Sequence, residues 1–387
     1  MNQGIYIHLP YCLTKCPYCD FNSYGVGNDF PEEEYTRAIL SEIDMKGNVL
    51  SGGEVTSIFF GGGTPSLFKP ESIKKILDKI NEYAVIDVKA ETTLEINPRT
   101  VALEKLKDFR GTGINRASIG IQSFSDRKLN FYGRNSNSED GIKVLEDIIK
   151  AGYKNFNIDL IYGSSNETVG ELKRDLEITL GFGSSHVSAY CLTIEDGTQF
   201  GYLFKKGLLK LPEDAVLSEM YTLTSEILGN NGYSHYEISN FSKTGSECKQ
   251  NLIYWNCGNY IGFGAGAHSH LKGDGQDGDW GKRWGNLRNP GRYIETACSG
   301  GEVAGFTEDL DKETALNDRL MMGLRLSEGI VLADIKKEYG KEIDSDKISY
   351  LLKDGLMKIE QGKLKITKEG RIYSNLLIEK VSSAYEN

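Results

Sequence analysis

Short apolar runs alternate with longer amphipathic stretches over the first half of the chain. The runs are rich in β-branched and aromatic residues, which predicts strands, and the stretches repeat apolar positions at helical spacing. The predicted strands are 5–9, 55–60, 92–96, 115–121, 155–160 and 186–192. The predicted helices are 31–46, 70–82, 100–109, 138–151 and 168–180. Strand–helix alternation of this kind predicts an α/β fold with a parallel sheet and helices outside it.

The regular alternation stops after about residue 200. A predicted helix at 213–229 leads into an aromatic, glycine-rich stretch at 232–269, and 271–281 has the composition of a flexible surface loop. This change predicts a division of the chain into a first domain, a linking segment and a C-terminal domain. Their predicted bounds are 1–235, 236–305 and 306–387.

The end of the chain has its own pattern. From about residue 311 the pattern is mostly helical. It then predicts a helix at 344–353, strands at 356–360 and 364–367, and a Gln361-Gly362 turn between the strands. Helices followed by a small hairpin and a last helix predict an α+β region with a winged-helix-like end.

Composition narrows the class of protein. The 387 residues are 39% hydrophobic and 26% charged, which is typical of a globular protein with room for a large core and a second domain. No apolar run approaches the about 18 residues that span a bilayer, and the first residues do not resemble a signal peptide. A net charge of −10 argues against nucleic acid as a partner. Seven cysteines without an export signal predict a cytoplasmic protein.

Three cysteines close to the start of the chain are the strongest chemical signal. Cys12, Cys16 and Cys19 have the spacing C-x3-C-x2-C. A cubane [4Fe–4S] cluster normally takes four cysteines, so three would leave one iron open to an exchangeable ligand. The alternative is a zinc site with His8 as the fourth ligand, but the other four cysteines offer no second pair at zinc-site spacing. They are Cys191, Cys248, Cys257 and Cys298.

Glycines and polar residues follow the ends of the predicted strands. Ligands of parallel barrels bind at the carboxyl ends of strands, so these residues are expected to meet at one mouth of an otherwise apolar barrel. Glycines let the backbone approach a ligand closely, and Glu95 and Asp159 can accept hydrogen bonds. Arg134 can hold a carboxylate by a two-pronged contact, and Tyr18 can stack on a planar ring. The residues at strand ends are Gly61-Gly62-Gly63-Thr64-Pro65, Glu95, Asn97, Gln122, Ser123 and Asp159.

The cysteine motif resembles that of the radical S-adenosylmethionine (SAM) superfamily, in which the open iron chelates SAM. Other segments are similar, in order and over nearly the whole chain, to the coproporphyrinogen-dehydrogenase (HemN) branch. They are 5–12, 61–66, 95–98, 119–124, 236–241 and 262–269. The resemblance implies a partial (β/α)6 radical-SAM barrel and a [4Fe–4S] cluster on Cys12, Cys16 and Cys19. It also implies SAM binding by Tyr6, Tyr18, Gly62, Gly63, Thr64, Glu95, Gln122, Arg134 and Asp159.

Two families of this branch differ just after the cysteines. The oxidases carry a further cysteine where this chain has Phe21, and they have a longer extension before the cluster. In both respects this chain resembles the HemW heme-chaperone family instead. That resemblance implies binding of heme and its transfer to an acceptor protein of unknown identity, with an electron donor if SAM is cleaved. Peripheral contact with membrane-bound acceptors is compatible with it.

Alternatives stay open at this point. One is an enzyme that oxidises coproporphyrinogen III to protoporphyrinogen IX through a 5′-deoxyadenosyl radical, and another is a cluster-bearing regulatory protein. The heme family's His-Asn-x-x-Tyr-Trp pattern reads Gln250-Asn251-Leu252-Ile253-Tyr254-Trp255 here. Glutamine is a poor axial ligand for heme iron and imidazole a good one. The candidate substitutes are Cys248, His235, His268 and His270.

Overall fold

A twelve-stranded sheet forms the centre of the computed structural model, which describes residues 2–27 and 29–385. The first strands are β1 (Asn2–Leu9), β2 (Tyr11–Cys12), β3 (Tyr24–Gly25), β4 (Glu54–Gly62), β5 (Val85–Ile96), β6 (Arg116–Gln122), β7 (Asn155–Tyr162) and β8 (His186–Cys191). The first helices are α1 (Glu32–Met45), α2 (Gly47–Leu50), α3 (Pro70–Tyr83), α4 (Leu103–Gly111), α5 (Asp126–Phe131), α6 (Ser138–Lys150), α7 (Val169–Gly181), α8 (Gln199–Lys205) and α9 (Asp214–Asn230).

The second half adds smaller elements. Its strands are β9 (Ser234–His235), β10 (Asn240–Ser242), β11 (Asn259–Phe263), β12 (His268–Lys272), β13 (Gly281–Asn286), β14 (Ala304–Asp309), β15 (Ile330–Val331), β16 (Met357–Glu360) and β17 (Lys363–Ile366). Its helices are α10 (Lys249–Trp255), α11 (Pro290–Cys298), α12 (Lys312–Gly323), α13 (Leu332–Tyr339), α14 (Ser345–Lys353) and α15 (Ser374–Tyr385).

The predicted parallel barrel is confirmed. Strands β1, β4, β5, β6, β7 and β8 are neighbours in that order and pair in parallel, with a helix between each consecutive pair. Strand β11 pairs with the outer edge of β1 and starts an antiparallel extension through β12, β13 and β14. At the other end β10 pairs with β8, so both edges of the six-stranded barrel carry an added strand.

Side chains alternate between two environments along the barrel strands. On β7, Phe156, Ile158 and Leu160 belong to the core between sheet and helices, whereas Asn157 and Asp159 line an internal cavity. Because successive strand residues point to opposite faces, the inner face of the barrel carries polar side chains along β6, β7 and β8. The expectation of an otherwise apolar barrel is therefore wrong. Other inward residues that line the cavity are Tyr6, Phe59, Glu95, Arg116, Ser118, His186 and Ser188.

Helix α10 closes the amino-terminal end of the barrel. It packs on β1 and β4, and the backbone N–H of Lys249 donates to a Glu91 carboxylate oxygen on β5 at 2.9 Å. A Cβ on Gly4 would lie 2.8 Å from Oε1 of Gln250, so only glycine leaves room for the helix there. The helix that carries the Gln250–Trp255 motif is thus the floor of the cavity.

The predicted C-terminal region is confirmed as a small α+β module. Strands β15, β17 and β16 form an antiparallel sheet, and the turn between β16 and β17 is Gln361-Gly362 with φ of 51° and 74°. Leu364 lies in its apolar core, which α14 and α15 cover. The backbone N–H of Ser327 donates to the carbonyl of Tyr236 at 2.9 Å and joins the module to the barrel.

The segment predicted as a surface loop is shorter than expected. Strand β12 extends to Lys272 and β13 begins at Gly281, so the prediction is wrong at both ends and only 273–280 connects them. Trp280 then stacks on Tyr339 of α13 with ring centroids 5.5 Å apart. Of the helices in the described residues, none is long and apolar enough to cross a membrane.

Candidate functional site

The three motif cysteines lie in the loop that follows β1. The loop is ordered by its own backbone, because the N–H of Cys19 donates to the carbonyl of Cys16 at 3.1 Å and that of Val26 to the carbonyl of Cys12 at 2.9 Å. All three thiols are free and line the cavity. A donor set of three thiols on one short loop fits a cubane cluster with one open iron.

His8 fixes this loop to the barrel. Its Nε2 donates to the backbone carbonyl of Asn22 at 2.9 Å, and its Nδ1 accepts from the hydroxyl of Tyr6 at 3.0 Å. Burial lowers the pKa of His8 to about 4, so the ring is neutral. Both ring nitrogens are engaged, which leaves no lone pair for the zinc alternative. No group of three or more His, Cys, Asp or Glu in residues 2–27 and 29–385 could hold a single metal ion. A cubane differs, since each thiolate binds its own iron.

Hydroxyl groups accompany two of the thiols. The Thr64 hydroxyl donates to Sγ of Cys12 at 3.4 Å, and the Ser23 hydroxyl lies 3.6 Å from Sγ of Cys19. Burial raises the pKa of the Cys12 thiol above its ordinary value, so the thiolate needs a positive partner such as iron. Hydrogen bonds to the sulfurs are among the protein's means of tuning a bound cluster.

The glycine loop after β4 supports the cysteine loop. A Cβ on Gly62 would lie 2.8 Å from the His8 ring, and one on Gly63 would lie 2.7 Å from the Pro10 backbone. The N–H of Gly63 donates to the carbonyl of Leu9 at 2.8 Å. The glycines therefore let two loops of the protein pack closely, a reason for glycine that differs from the close approach of a ligand expected from the sequence.

Two carboxyl groups face the cavity from adjacent parts of the barrel. One oxygen of Glu95 accepts from the N–H of Gly62 at 3.2 Å, and burial, helped by Asp159, raises the pKa of Glu95 to about 8. Asp159 accepts from Asn157 at 2.7 Å and from Ser118 at 3.3 Å, and burial raises its pKa as well. At neutral pH the Glu95 carboxyl is protonated and can donate as well as accept.

Gln122 and Arg134 lie together at the end of β6. Gln122 has a φ of 68°, which points its side chain out of the regular strand direction. Nη2 of Arg134 donates to Oδ1 of Asn97 at 2.7 Å and to the carbonyl of Gly120 at 2.6 Å. Both hydrogens of Nη2 are used, so in this arrangement Arg134 offers Nε and Nη1, and a two-pronged contact requires one of these bonds to open.

All twelve residues predicted to hold the cluster and SAM line one cavity of about 770 Å³. The tyrosines border it differently: Tyr6 is held by its hydroxyl on His8, and Tyr18 packs edge-on against Tyr132 with ring centroids 5.6 Å apart. The twelve are Tyr6, Cys12, Cys16, Tyr18, Cys19, Gly62, Gly63, Thr64, Glu95, Gln122, Arg134 and Asp159.

The Gln250 motif borders the same cavity from the opposite end. Gln250, Asn251 and Tyr254 line it, and the side chain of Gln250 is 1% exposed. Cys248 is also buried and lines the cavity, and burial raises the pKa of its thiol to about 11. Neither position presents an imidazole or a ready thiolate to a heme iron.

The three candidate histidines lie elsewhere in the described part of the chain, since none lines the cavity. Nε2 of His235 donates to the carbonyl of Ile238 at 3.0 Å, and Nδ1 of His270 bonds the carbonyl of Gly258 at 3.1 Å. His268 is exposed on β12. Of the candidate substitutes for the family histidine, only Cys248 shares the cavity.

A row of hydrogen bonds that was not predicted from the sequence crosses the barrel interior. The N–H of Cys248 donates to the Tyr236 hydroxyl at 3.4 Å, which bonds Nε2 of His186 at 2.9 Å. Nδ1 of His186 bonds Oδ1 of Asn157 at 2.7 Å, and Asn157 donates to Asp159. The signal was present: strands buried in a parallel sheet are usually apolar throughout, whereas β6, β7 and β8 each begin with polar residues at alternate positions.

Comparisons with known proteins agree with this geometry. Residues 6–177 match the model of the radical SAM superfamily, and residues 310–373 match the HemN C-terminal domain. The heme chaperone HemW of Mycobacterium tuberculosis is 32% identical over 379 residues, covering 97% of this chain and 93% of that relative. The HemW of Haemophilus influenzae is 33% identical over 382 residues, with 97% of each chain covered.

A solved structure shows the same fold. Coproporphyrinogen III oxidase (HemN) of Escherichia coli, described as a radical SAM enzyme, superposes with a TM-score of 0.81 at 20% identity and covers 100% of this chain and 90% of its own. Its sequence is far less similar than those of the HemW relatives, which match almost from end to end. This chain belongs to the HemW family within the radical SAM superfamily.

Proposed function

We propose that this protein is a heme chaperone that binds a [4Fe–4S] cluster and SAM and transfers heme to an acceptor protein. The observation that carries the proposal is the single cavity. It is lined at its mouth by Cys12, Cys16 and Cys19, and at its floor by Gln250 and Tyr254 of the helix that carries the family motif. One continuous space thus connects the cofactor end with the motif end.

The residues fit the two cofactors. Cys12, Cys16 and Cys19 would hold the cluster, and the nine other residues predicted at the mouth would hold SAM. When bound, the pair supplies one-electron chemistry, and the protein contributes binding, orientation and exclusion of water. Glu95 is placed to donate or accept a hydrogen bond at neutral pH, and Asp159 to accept one.

An apolar rim beside the mouth supports the handling of an apolar ligand. Phe21 lines the cavity and is 68% exposed, and Tyr202 in α8 and Leu208 just after that helix are 61% and 73% exposed. Helix α8 contacts the cysteine loop through a backbone hydrogen bond, in which the N–H of Phe200 donates to the carbonyl of Pro17 at 2.9 Å. Exposed apolar residues next to a ligand site are typical of a surface that receives a ligand or a partner.

The second candidate is oxidation of coproporphyrinogen III. The fold shared with the Escherichia coli oxidase favours it. Phe21 and the end-to-end match to the HemW relatives favour the chaperone. The acceptor, the electron donor and any contact with membrane-bound acceptors are part of the proposal, as are the cytoplasmic location and the division at about 235 and 305.

Anaerobic reconstitution followed by separate assays for heme binding, SAM cleavage and porphyrinogen oxidation tests the proposal. We expect the holoprotein to bind heme and to form no protoporphyrinogen from coproporphyrinogen III with SAM and a reductant. If position 250 contacts the heme iron, Gln250→His should tighten heme binding or shift the Soret band, because it restores an imidazole there; an unaltered spectrum and affinity would exclude that contact. Catalytic formation of protoporphyrinogen by the wild-type protein would contradict the chaperone function.

A further inference from the structure

The floor of the cavity holds a buried guanidinium that the proposed cofactors do not use. Arg116 begins β6, faces inward and is 1% exposed. Its register partners are Thr93 on β5 and Asn155 on β7, two residues closer to the floor than the row of Glu95 and Ser118. Arg116 therefore lies below the carboxyl groups of the mouth, on the side of α10.

Arg116 is incompletely satisfied by the protein. Its Nε has no hydrogen-bond partner, and the nearest carboxylate oxygen, on Glu91, lies 3.8 Å away, beyond hydrogen-bond distance. The Glu91 carboxylate is held by other donors, the N–H of Lys249 at 2.9 Å and Nδ2 of Asn155 at 3.3 Å. A buried charged donor without a hydrogen bond is costly, which points to a missing acceptor.

A second polar side chain at the floor is also unpartnered. Gln250 is 1% exposed and lines the cavity; its side chain lies against the Tyr254 hydroxyl, but neither its Nε2 nor its Oε1 makes a hydrogen bond of good geometry with the protein. The hydroxyls of Ser57 and Thr93 are likewise buried without partners. Both share the inward face of their strands, two residues from Phe59 and Glu95, which line the cavity. Of these four residues, Arg116 of β6 and Gln250 of α10 line the cavity itself.

We propose that this floor, formed by Arg116 and Gln250, binds a carboxylate group of the ligand that occupies the cavity. A guanidinium and an amide N–H are matched donors for carboxylate oxygens. For the tetrapyrrole of the proposed function, on which this inference rests, the group is a propionate. Glu91, with a carboxylate oxygen 3.8 Å from Nε of Arg116, offsets the positive charge, so the carboxylate is recognised by hydrogen bonds from spare donors rather than by an excess of charge.

Heme and its dimethyl ester test the proposal, because the ester keeps the macrocycle and removes both free carboxylates. The reconstituted wild-type protein should bind heme about tenfold more tightly than the ester, the size expected for one charge-assisted hydrogen-bonded contact. Arg116→Gln should abolish this preference and leave the affinity for the ester within about twofold. Arg127→Gln is the matched control, since Arg127 is an exposed guanidinium on α5 that pairs with Glu171.

Folding of the variant is controlled separately. Arg116→Gln leaves Glu91 without its ion pair, so the double variant Glu91→Gln/Arg116→Gln removes both charges together. Gln250→Leu tests the second donor without changing any charge and should reduce the preference for heme by a smaller factor. Thermal melting and iron content of each variant identify any that fails to fold.

Free propionate tests the floor without a tetrapyrrole. At 100 mM it should raise the melting temperature of the wild-type protein above that in 100 mM chloride, and it should not do so in Arg116→Gln. Equal affinity for heme and ester would show that no heme carboxylate reaches Arg116. If the wild-type protein binds neither but propionate stabilises it, the proposed function fails and the carboxylate site stands. Equal heme and ester affinity together with no effect of propionate would overturn the inference and leave ordered water at the floor.

Discussion

The inner face of the barrel and the core of the C-terminal module bury different kinds of side chain. The module buries Ile330, Ile348 and Leu364 completely against one another. The barrel interior instead buries Arg116 and Thr93 with polar atoms that have no partner in the protein. A fold gains stability from the first arrangement and loses it in the second. The contrast indicates that the inner face is maintained for ligands and that the barrel derives its stability from its outer layer.

The outer layer of the barrel has the composition of an ordinary core. Ile5 and Ile7 of β1 and Phe60 of β4 are fully buried there, between the sheet and the surrounding helices. One strand therefore carries both roles at alternate positions. Substitutions on the inner face are therefore expected to alter binding with little loss of stability. Substitutions on the outer face or in the module are expected to lower stability with little effect on binding.

The largest expected effect is on the inner side. Cys16→Ala should abolish the brown chromophore and reduce bound iron to near background after anaerobic reconstitution, because two thiolates hold a cubane poorly. Iron analysis and the visible absorption spectrum measure it. Cys298→Ala, an exposed cysteine at the end of α11, is the control and should keep its iron. A full cluster in Cys16→Ala would contradict the assignment.

The second effect is confined to the module. Leu364→Ala removes a fully buried side chain from its core and should lower the free energy of unfolding by about 2–5 kcal/mol. Urea denaturation followed by circular dichroism measures the loss. Iron content per folded chain should equal that of the wild type. A parallel loss of cluster would show that the module also shapes the barrel site.

The third effect depends on pH. Below pH 4.5 the Glu95 carboxyl is protonated in both the folded and the unfolded state, and between pH 4.5 and about 8 only the unfolded state releases the proton. The free energy of unfolding of the cluster-free protein should therefore fall as pH rises through this range, by on the order of 5 kcal/mol from Glu95. Glu95→Gln should flatten this slope in thermal melts, and an exposed control, Glu33→Gln, should not. The same slope in Glu95→Gln would show that another group is responsible.

The smallest expected effect comes from comparing a buried hydroxyl that lacks a hydrogen-bond partner with one that has a partner. Thr93→Val replaces a buried hydroxyl without a partner by a methyl of similar shape and should stabilise the protein by about 1 kcal/mol. Thr224 of α9 is equally buried but donates to the carbonyl of Met220 at 2.8 Å, so Thr224→Val should cost about 1 kcal/mol. Denaturant titrations compare the two. Destabilisation by Thr93→Val would mean that a bound water already satisfies the hydroxyl.

The barrel strands and the residues at the mouth of the cavity could be predicted from the sequence. Periodicity located all six barrel strands, and the position of residues such as Asn97 directly after a strand placed them at one end of the barrel, because parallel strands share their direction. Asp159, expected at the end of its strand, lies within β7, which continues to Tyr162. The floor could not be predicted, since Gln250 reaches it only through the packing of α10 beneath β1, and Gly4 permits that approach. The role of His8 was also hidden, because its partner Asn22 is fixed by tertiary structure.

The hydrogen-bonded row from Cys248 to Asp159 has an electrical consequence. An N–H of Asn157 faces the acceptor Asp159, so its Oδ1 must accept from Nδ1–H of His186, whose Nε2 then accepts from Tyr236. Every bond has the same sense, so their dipoles add along the barrel and present their positive end to the Asp159 carboxylate. Bonds aligned in this way polarise one another. Removing any one hydrogen bond therefore weakens all the others. The loss of stability in a variant that lacks two of these bonds should be smaller than the sum of the losses in the two single variants.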